Sequence, residues 1–172
     1  MRSEGVGAAL LEPTAEAVGD APVLWQLPGS SVRSDGKSAS LTAPNGEAQV
    51  GMLREALRLS GLEAGEVQTT ECHGTGTALG DPIETTAIRE VFLSSQEGWH
   101  ALGGIKASVG HMEPSAGMVG LLKLKLTLGS VVAPNAQLRA LNPHVCASLE
   151  GTGCGLPMQP SRTERSLSLI HI

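Results

Sequence analysis

Apolar positions along this chain fall into short runs and spaced stripes, separated by polar, glycine-bearing stretches. VGAALLE (6–12) and PVLWQLPGSSV (22–32) are apolar runs bounded by Gly, Pro and Asp, a pattern that predicts two strands joined by a short link. RSDGKSASLTAPNG (33–46) is polar and rich in turn formers, and reads as a loop. Val50, Leu53 and Leu57 then recur at helical spacing, with Asn45 as N-cap and Gly61 as stop. EVQTTEC (66–72) predicts a short strand. DPIETTAIREVFL (81–93) predicts a helix in which Asp81 caps, Pro82 takes the first helical position and Glu84 closes a capping box. HALGGIKASVG (100–110) reads as a strand running out into a glycine-containing turn. EPSAGMVGLLKLKLTLG (113–129) reads as a helix whose small Ala116, Gly117 and Gly120 allow close packing, and whose wide apolar side predicts deep burial. Beyond Asn142 the chain turns to Gly, Pro and Ser, and its last residues, RTERSLSLIHI, show no clear element. Strand alternating with helix predicts α/β layering.

Composition narrows the class of partner. The 172 residues suffice for one domain or part of a larger one, and 41% are hydrophobic, enough to bury a real core. One Phe, two Trp and no Tyr leave little surface for stacking bases, and a net charge of −5 without a basic stripe disfavours nucleic acid. Cys72, Cys146 and Cys154 form an odd, sparse set with no CxxC, which suits a reducing compartment. MRSEGVGAALLEP is not a secretory signal, and the run Met118 to Leu128 is broken by Lys123 and Lys125 and too short to span a bilayer. A cytoplasmic chain without a membrane span is expected, with a plastid as the other option.

Chemistry concentrates in two places. His73 follows the strand ending at Cys72, and His111 follows the strand ending near Lys106. Carboxyl ends of strands are where reactive side chains collect in α/β sheets, and glycines beside them let a substrate approach the backbone. Two imidazoles converging there can donate to a developing oxyanion or handle protons near pH 7. An isolated turn histidine is ordinarily a surface residue; the paired context is what favours chemistry. Metal binding by Cys72, His73 and His111 is disfavoured because neighbours at a strand end point in opposite directions. GTGTALG is GxGxxxG without an evident acidic ribose ligand, and no Gly-Lys-Ser/Thr follows, so both nucleotide readings are weak.

At these residues the chain resembles a known family. ECHGTGTALGDPIE (71–84) resembles the first histidine motif of β-ketoacyl synthases, and GGIKASVGHMEPSAGMVGLLK (103–123) resembles their second. SDGKSASLTAPNGEAQ (34–49) and LNPHV (141–145) look like the segments before and after, in family order, a pattern that resembles type I polyketide and fatty acid synthases, especially the modular or iterative polyketide ones. The resemblance runs from about Ser3 to Leu141 and beyond. It implies a thiolase-like fold, chiefly its C-terminal half, with a mixed sheet layered with helices: residues 1–145 as partial synthase domain and 146–172 as an irregular tail of foreign or frame-shifted origin. It also implies decarboxylative Claisen condensation of a carrier-bound acyl group with malonyl-carrier protein. In that scheme His73 and His111 stabilise the enolate, Lys106 orients the His111 loop, Glu113 pairs with it, and Thr75 and Thr77 contact the phosphopantetheine arm. Acyl carrier protein, the rest of a synthase chain and a second copy in a homodimer are the implied partners; no metal and no directly bound cofactor are implied.

Duller roles stand beside these. Lys106 could be a strand-end lysine with its head in water, Thr75 and Thr77 could simply bond their turn, and Asp81 and Glu84 are read as first-turn acids complementing a helix dipole. The family's nucleophilic cysteine motif lies upstream of EGVGAALLE and has no match here, and its later glycine-rich stretch is absent too. Cys72 reads as a buried filler. Ala107 and Ser108 stand where Ser-Asn is commoner. The chain therefore looks truncated at both ends, and alone it is not expected to condense anything. The competing reading is a non-catalytic thiolase-fold remnant that binds a carrier protein or partner subunit.

Overall fold

The computed structural model describes residues 2–13, 25–38, 43–94, 98–128, 134–135, 137–160 and 168–171. The helix expected after Asn45 forms as α1 (Gly46–Ser60), the Asn45 side-chain oxygen accepting from the Ala48 N–H at 3.2 Å and Gly61 ending it at φ 70°. Glycine takes that left-handed conformation without a Cβ penalty. The Asn45 amide also donates to the carbonyls of Asp35 (2.7 Å) and Lys37 (3.2 Å), tying down the loop before it. A 3₁₀ turn (Ala64–Glu66) leads to β1 (Val67–Glu71). Next come α2 (Gly80–Ile88), continuing as a π-helical turn (Arg89–Leu93), and β2 (His100–Gly103). A short α3 (Lys106–Val109) and a 3₁₀ turn (Glu113–Ser115) precede α4 (Ala116–Thr127), followed by α5 (Pro143–Leu149), β3 (Cys154–Gly155) and β4 (Ser168–His171).

The strands form one sheet in the order β3-β2-β1-β4, and every pairing among the described residues is parallel rather than mixed. Against one face, α1 packs on α2 and α2 on α5, enclosing a core of Val50, Leu53, Val67, Ile88, Phe92 and Leu102. α4 lies against β1 and β4. Successive strand residues point to opposite faces, so Cys72 enters the large core while Glu71 faces α4. His100 is fully buried in β2: its Nδ1 donates to the Val67 carbonyl at 2.9 Å and its Nε2 accepts from the Thr70 hydroxyl at 2.9 Å. The carbonyl only accepts, which dictates the tautomer. The ring also stacks on Phe92.

Several expectations need correction. Residues 6–12 form no strand: Val6 and Leu10 are exposed, and no described strand lies beside them to complete a ladder. Of the second predicted strand, 22–24 lie outside the described residues and 25–32 carry no strand. The strand expected over 100–110 stops at Gly103, because Lys106–Val109 coils into α3. The helix expected over 113–129 starts in 3₁₀ geometry and becomes α-helical at Ala116; residue 129 lies outside the described residues. That helix is buried on one face only, along Ala116, Gly120, Leu124 and Thr127, while Leu126 is exposed. Nor is the chain irregular after Asn142. Asn142 accepts from the His144 N–H at 2.9 Å and caps α5, and Ser168–His171 adds an edge strand along β1. A four-residue parallel strand takes its stability from its neighbour's backbone and carries little pattern of its own.

Candidate active site

The first histidine loop leaves β1 through Cys72, whose N–H donates to the Gly103 carbonyl at 2.8 Å and so extends the β1–β2 ladder. Gly74 and Gly76 turn the chain at φ 50° and 76°, conformations that side chains with a Cβ seldom adopt. The loop's free N–H groups are then collected by α2. Glu84, buried, accepts from the N–H of His73 and, at 2.9 Å, from that of Gly74. Asp81 Oδ1 accepts from the N–H groups of Gly76 (3.1 Å) and Thr77 (3.3 Å). Neither acid acts as expected. α2 starts at Gly80, so Asp81 is not its cap and Glu84 closes no capping box; both reach backward onto the loop. The Gly80 N–H is instead taken by the Thr77 hydroxyl at 3.0 Å.

The second loop leaves β2 at Gly103. Lys106, buried, opens α3, and Gly110 returns its N–H to the Lys106 carbonyl at 2.9 Å, which swings His111 back toward the first loop. The two imidazoles meet edge to face, ring centroids 5.6 Å apart at 88°. His73 lines a pocket of about 470 Å³ with Thr75, Thr77 and Asp81; His111 and Lys106 line a neighbouring one of about 710 Å³. Thr75, Asp81 and Glu84 border both. The converging imidazoles expected from the sequence thus line two adjoining pockets, His73 one and His111 the other.

Desolvation of the ring, then the Lys106 ammonium and the His111 ring, lower the His73 pKa, while Asp81 opposes them. His73 is therefore neutral at pH 7. Burial lowers the Lys106 pKa against the pull of Glu84 and Glu71. The Lys106 Nζ and His111 Nδ1 are buried and have no hydrogen-bond partner among the described residues. Buried polar atoms without partners cost folding energy, and these two border the pocket of about 710 Å³, where a bound group could meet them. Burial, followed by the Glu84 and Glu71 carboxylates, pushes the Cys72 thiol well above its usual value, and burial pushes Cys154 up to about 12.

Glu113 departs from its expected place. It does not pair with Lys106: its carboxylate meets Arg2 at 3.3 Å on the surface, and its backbone sits at φ 42°. Arg2 also bridges the His111 backbone, and the Ser3 N–H donates to the His111 carbonyl at 3.2 Å. The N-terminal segment thus braces the second loop. An exposed ion pair of this kind contributes about 0–1 kcal/mol.

The two loops, at the carboxyl ends of adjacent parallel strands, lie within a stretch that matches a known family. The family profile of the β-ketoacyl synthase C-terminal domain matches residues 25–138. The chain belongs to this family. It is 42% identical over 154 residues to the spectinabilin polyketide synthase system protein NorA' of Streptomyces orinoci, and 40% identical over 145 residues to erythronolide synthase EryA2 of Saccharopolyspora erythraea. Those matches cover 87% and 83% of this chain but only 4% of either relative. Among solved structures, the oxazolomycin ketosynthase domain OzmH KS7 of Streptomyces albus superposes with TM-score 0.81 at 32% identity, covering 91% of this chain and 28% of that one. The ketosynthase of module 6 of the bacillaene synthase of Bacillus subtilis 168 superposes at 0.69 and 27% identity, covering 80% and 25%. The fold is a partial thiolase-like one, and the family is one of condensing enzymes. Among the described residues no helix is long and apolar enough to cross a membrane.

In this ketosynthase segment three supporting side chains escaped sequence reasoning. Buried Asn135 accepts from the Gly104 N–H at 2.9 Å and donates to the Leu102 carbonyl at 2.8 Å. Buried Glu71 accepts from the Ile105 N–H at 2.6 Å and pairs with Lys123 at 2.5 Å. Glu71 stands two residues before His73, and an acid inside an otherwise apolar strand was the available signal. Lys123 had counted only as an interruption of an apolar run.

Proposed function

We propose that this segment is the enolate-stabilising half of a ketosynthase site that joins a carrier-bound acyl group to malonyl-carrier protein inside a larger synthase. The observation that carries the reading is the edge-to-face histidine pair beside two unpartnered buried nitrogens, Lys106 Nζ and His111 Nδ1. Breaking the bond between the malonyl carboxylate and its α-carbon releases carbon dioxide and leaves the electron pair as a thioester enolate. His73 and His111 donate to the oxygen where that charge develops, and the enolate carbon attacks the acyl-cysteine, whose thiolate leaves. Lys106 orients the His111 loop. Thr75 and Thr77 border the pocket by which the phosphopantetheine arm enters; the Thr77 hydroxyl accepts from Gly80 and keeps its own proton to donate. Acyl carrier protein, the rest of a cytoplasmic synthase chain and a second copy in a homodimer are the partners of this reading.

The acylated cysteine comes from outside this segment. Cys72 and Cys154 are held protonated by burial, and Cys146 is exposed on α5. Incubated with radiolabelled acyl carrier protein, the 172-residue chain should label no specific cysteine. Built into a complete ketosynthase, the same residues should support β-ketoacyl product formation. Stoichiometric labelling of one cysteine in the chain alone, or a complete domain that loads acyl groups but never releases carbon dioxide, contradicts the reading.

A further inference from the structure

The two histidine loops leave adjacent strands, yet little joins them directly apart from the ring contact. Beneath them lies the buried pair Glu71–Lys123. Glu71 is the last residue of β1 and fully buried, and the Lys123 side chain is 10% exposed. One carboxylate oxygen accepts from the N–H of Ile105, the residue just before Lys106, at 2.6 Å; the other takes the Lys123 ammonium from α4 at 2.5 Å. A single carboxylate thus connects the exit of β1, the exit of β2 and the helix beneath both. Gly103 leaves the room for it. A Cβ there would collide with the Glu71 Oε2 and come within 2.6 Å of the Lys123 Nζ.

Energetics argue that geometry, more than stability, is what this pair supplies. Withdrawing two charges from water costs about as much as their attraction returns, so an apolar pair would hold the core equally well. A short, doubly bonded carboxylate instead allows only one spacing between the two strand exits. We infer that Glu71 and Lys123 are positioning residues that hold the His73 and His111 loops in register, an inference that rests on the enolate-stabilising reading above. Misplacement of catalytic groups by about 1 Å can cost ~10²-fold in rate.

Three variants disturb the pair differently: Glu71→Gln keeps an acceptor for Ile105 but drops the charge, Lys123→Met removes the cation, and Gly103→Ala wedges the pair while keeping both charges. The first readout is NMR on the 172-residue chain, following the nuclear Overhauser contact between the His73 and His111 rings. The buried His100 ring reports in the same spectra on whether the fold persists. The expected result is a several-fold loss of the cross-ring contact with the His100 signals unmoved. In a complete ketosynthase carrying these residues, kcat for malonyl decarboxylation should fall by roughly 10²-fold, with KM for malonyl-carrier protein and acyl loading within about threefold of the parent.

Cross-ring contact and decarboxylation both unchanged in the variants overturn the inference. Loss of the His100 signature in all three overturns it as well, since the pair is then a folding element. If His73→Ala and His111→Ala themselves leave decarboxylation intact, the functional reading fails, and the ring contact alone decides whether the pair positions the loops.

Discussion

Replacing His73 or His111 by alanine in a complete ketosynthase built with these residues should lower carbon dioxide release from malonyl-carrier protein by about 10²–10³-fold, the usual cost of removing one oxyanion donor. The rings stand edge to face, and the two loops border adjoining pockets, an arrangement in which, on the proposed reading, each histidine would donate to the same developing charge from a different strand. Neither substitution should unfold the domain. His73 is exposed, and the His111 carbonyl keeps its bond from the Ser3 N–H within the bridge to the N-terminal segment. Acyl loading of the nucleophilic cysteine depends less on these imidazoles and should fall far less. The assay pairs carbon dioxide release with radiolabelled acyl transfer, so loss of both together would point to general damage. Intact decarboxylation in both variants would reduce the histidines to scaffolding. Because His73 has a lowered pKa, its ring should stay neutral as pH falls from 8 toward the ordinary histidine value, which an NMR titration of the His73 ring checks.

Acid should weaken the fold through a different histidine. His100 has its pKa lowered to about 4 by burial, against the opposing bond to Val67, whereas in the unfolded chain it returns to about 6.5. Between those values the unfolded state binds the extra proton. The stability contributed by neutral His100 is therefore fully present above about pH 6.5 and is lost progressively as pH falls toward 4. The gap corresponds to roughly 3 kcal/mol at most, at 1.36 kcal/mol per pH unit. Glu84 works in the opposite sense, since burial raises its pKa and its protonation favours the folded state in the same range. Comparison with His100→Gln separates the two, as Gln keeps a donor for Val67 and an acceptor for Thr70 but does not titrate. Urea unfolding from pH 7.5 to 4 should show a steeper stability loss in the parent than in the variant, which keeps only the contribution of His73 and its lowered pKa. Equal slopes in both would remove His100 as the cause.

Much of this protein was legible in one dimension. The α1 boundaries followed from Asn45 and Gly61, because capping is local: the side chain bonds within three residues and the stop needs only a positive φ. The placement of His73 and His111 after strands, and the family, followed from glycine-flanked motifs whose spacing belongs to the loops themselves. The two histidine loops expected to converge do so, their rings in contact. Glu113 was misplaced because its partner, Arg2, lies over a hundred residues away and nothing local advertises the pair.

Tertiary structure decided the rest. Sequence pattern reports which residues suit a strand or a helix, but a strand exists only where a neighbour accepts its hydrogen bonds. Apolar 6–12 therefore has no ladder among the described residues, while unpromising Ser168–His171 gains one along β1. The same holds for the acids. Asp81 and Glu84 looked like helix-start residues, and folding turned them onto the free N–H groups of the His73 loop: buried Glu84 supplies the acceptor that the half-buried His73 and Gly74 N–H groups need, and Asp81 takes the exposed Gly76 and Thr77. Sequence alone marked out the two glycine-flanked histidine loops; only the packing of β1, β2 and α4 brought Glu71 onto Ile105 and Lys123 beneath them, since those contacts join residues 34 and 52 positions apart and no local pattern announces them.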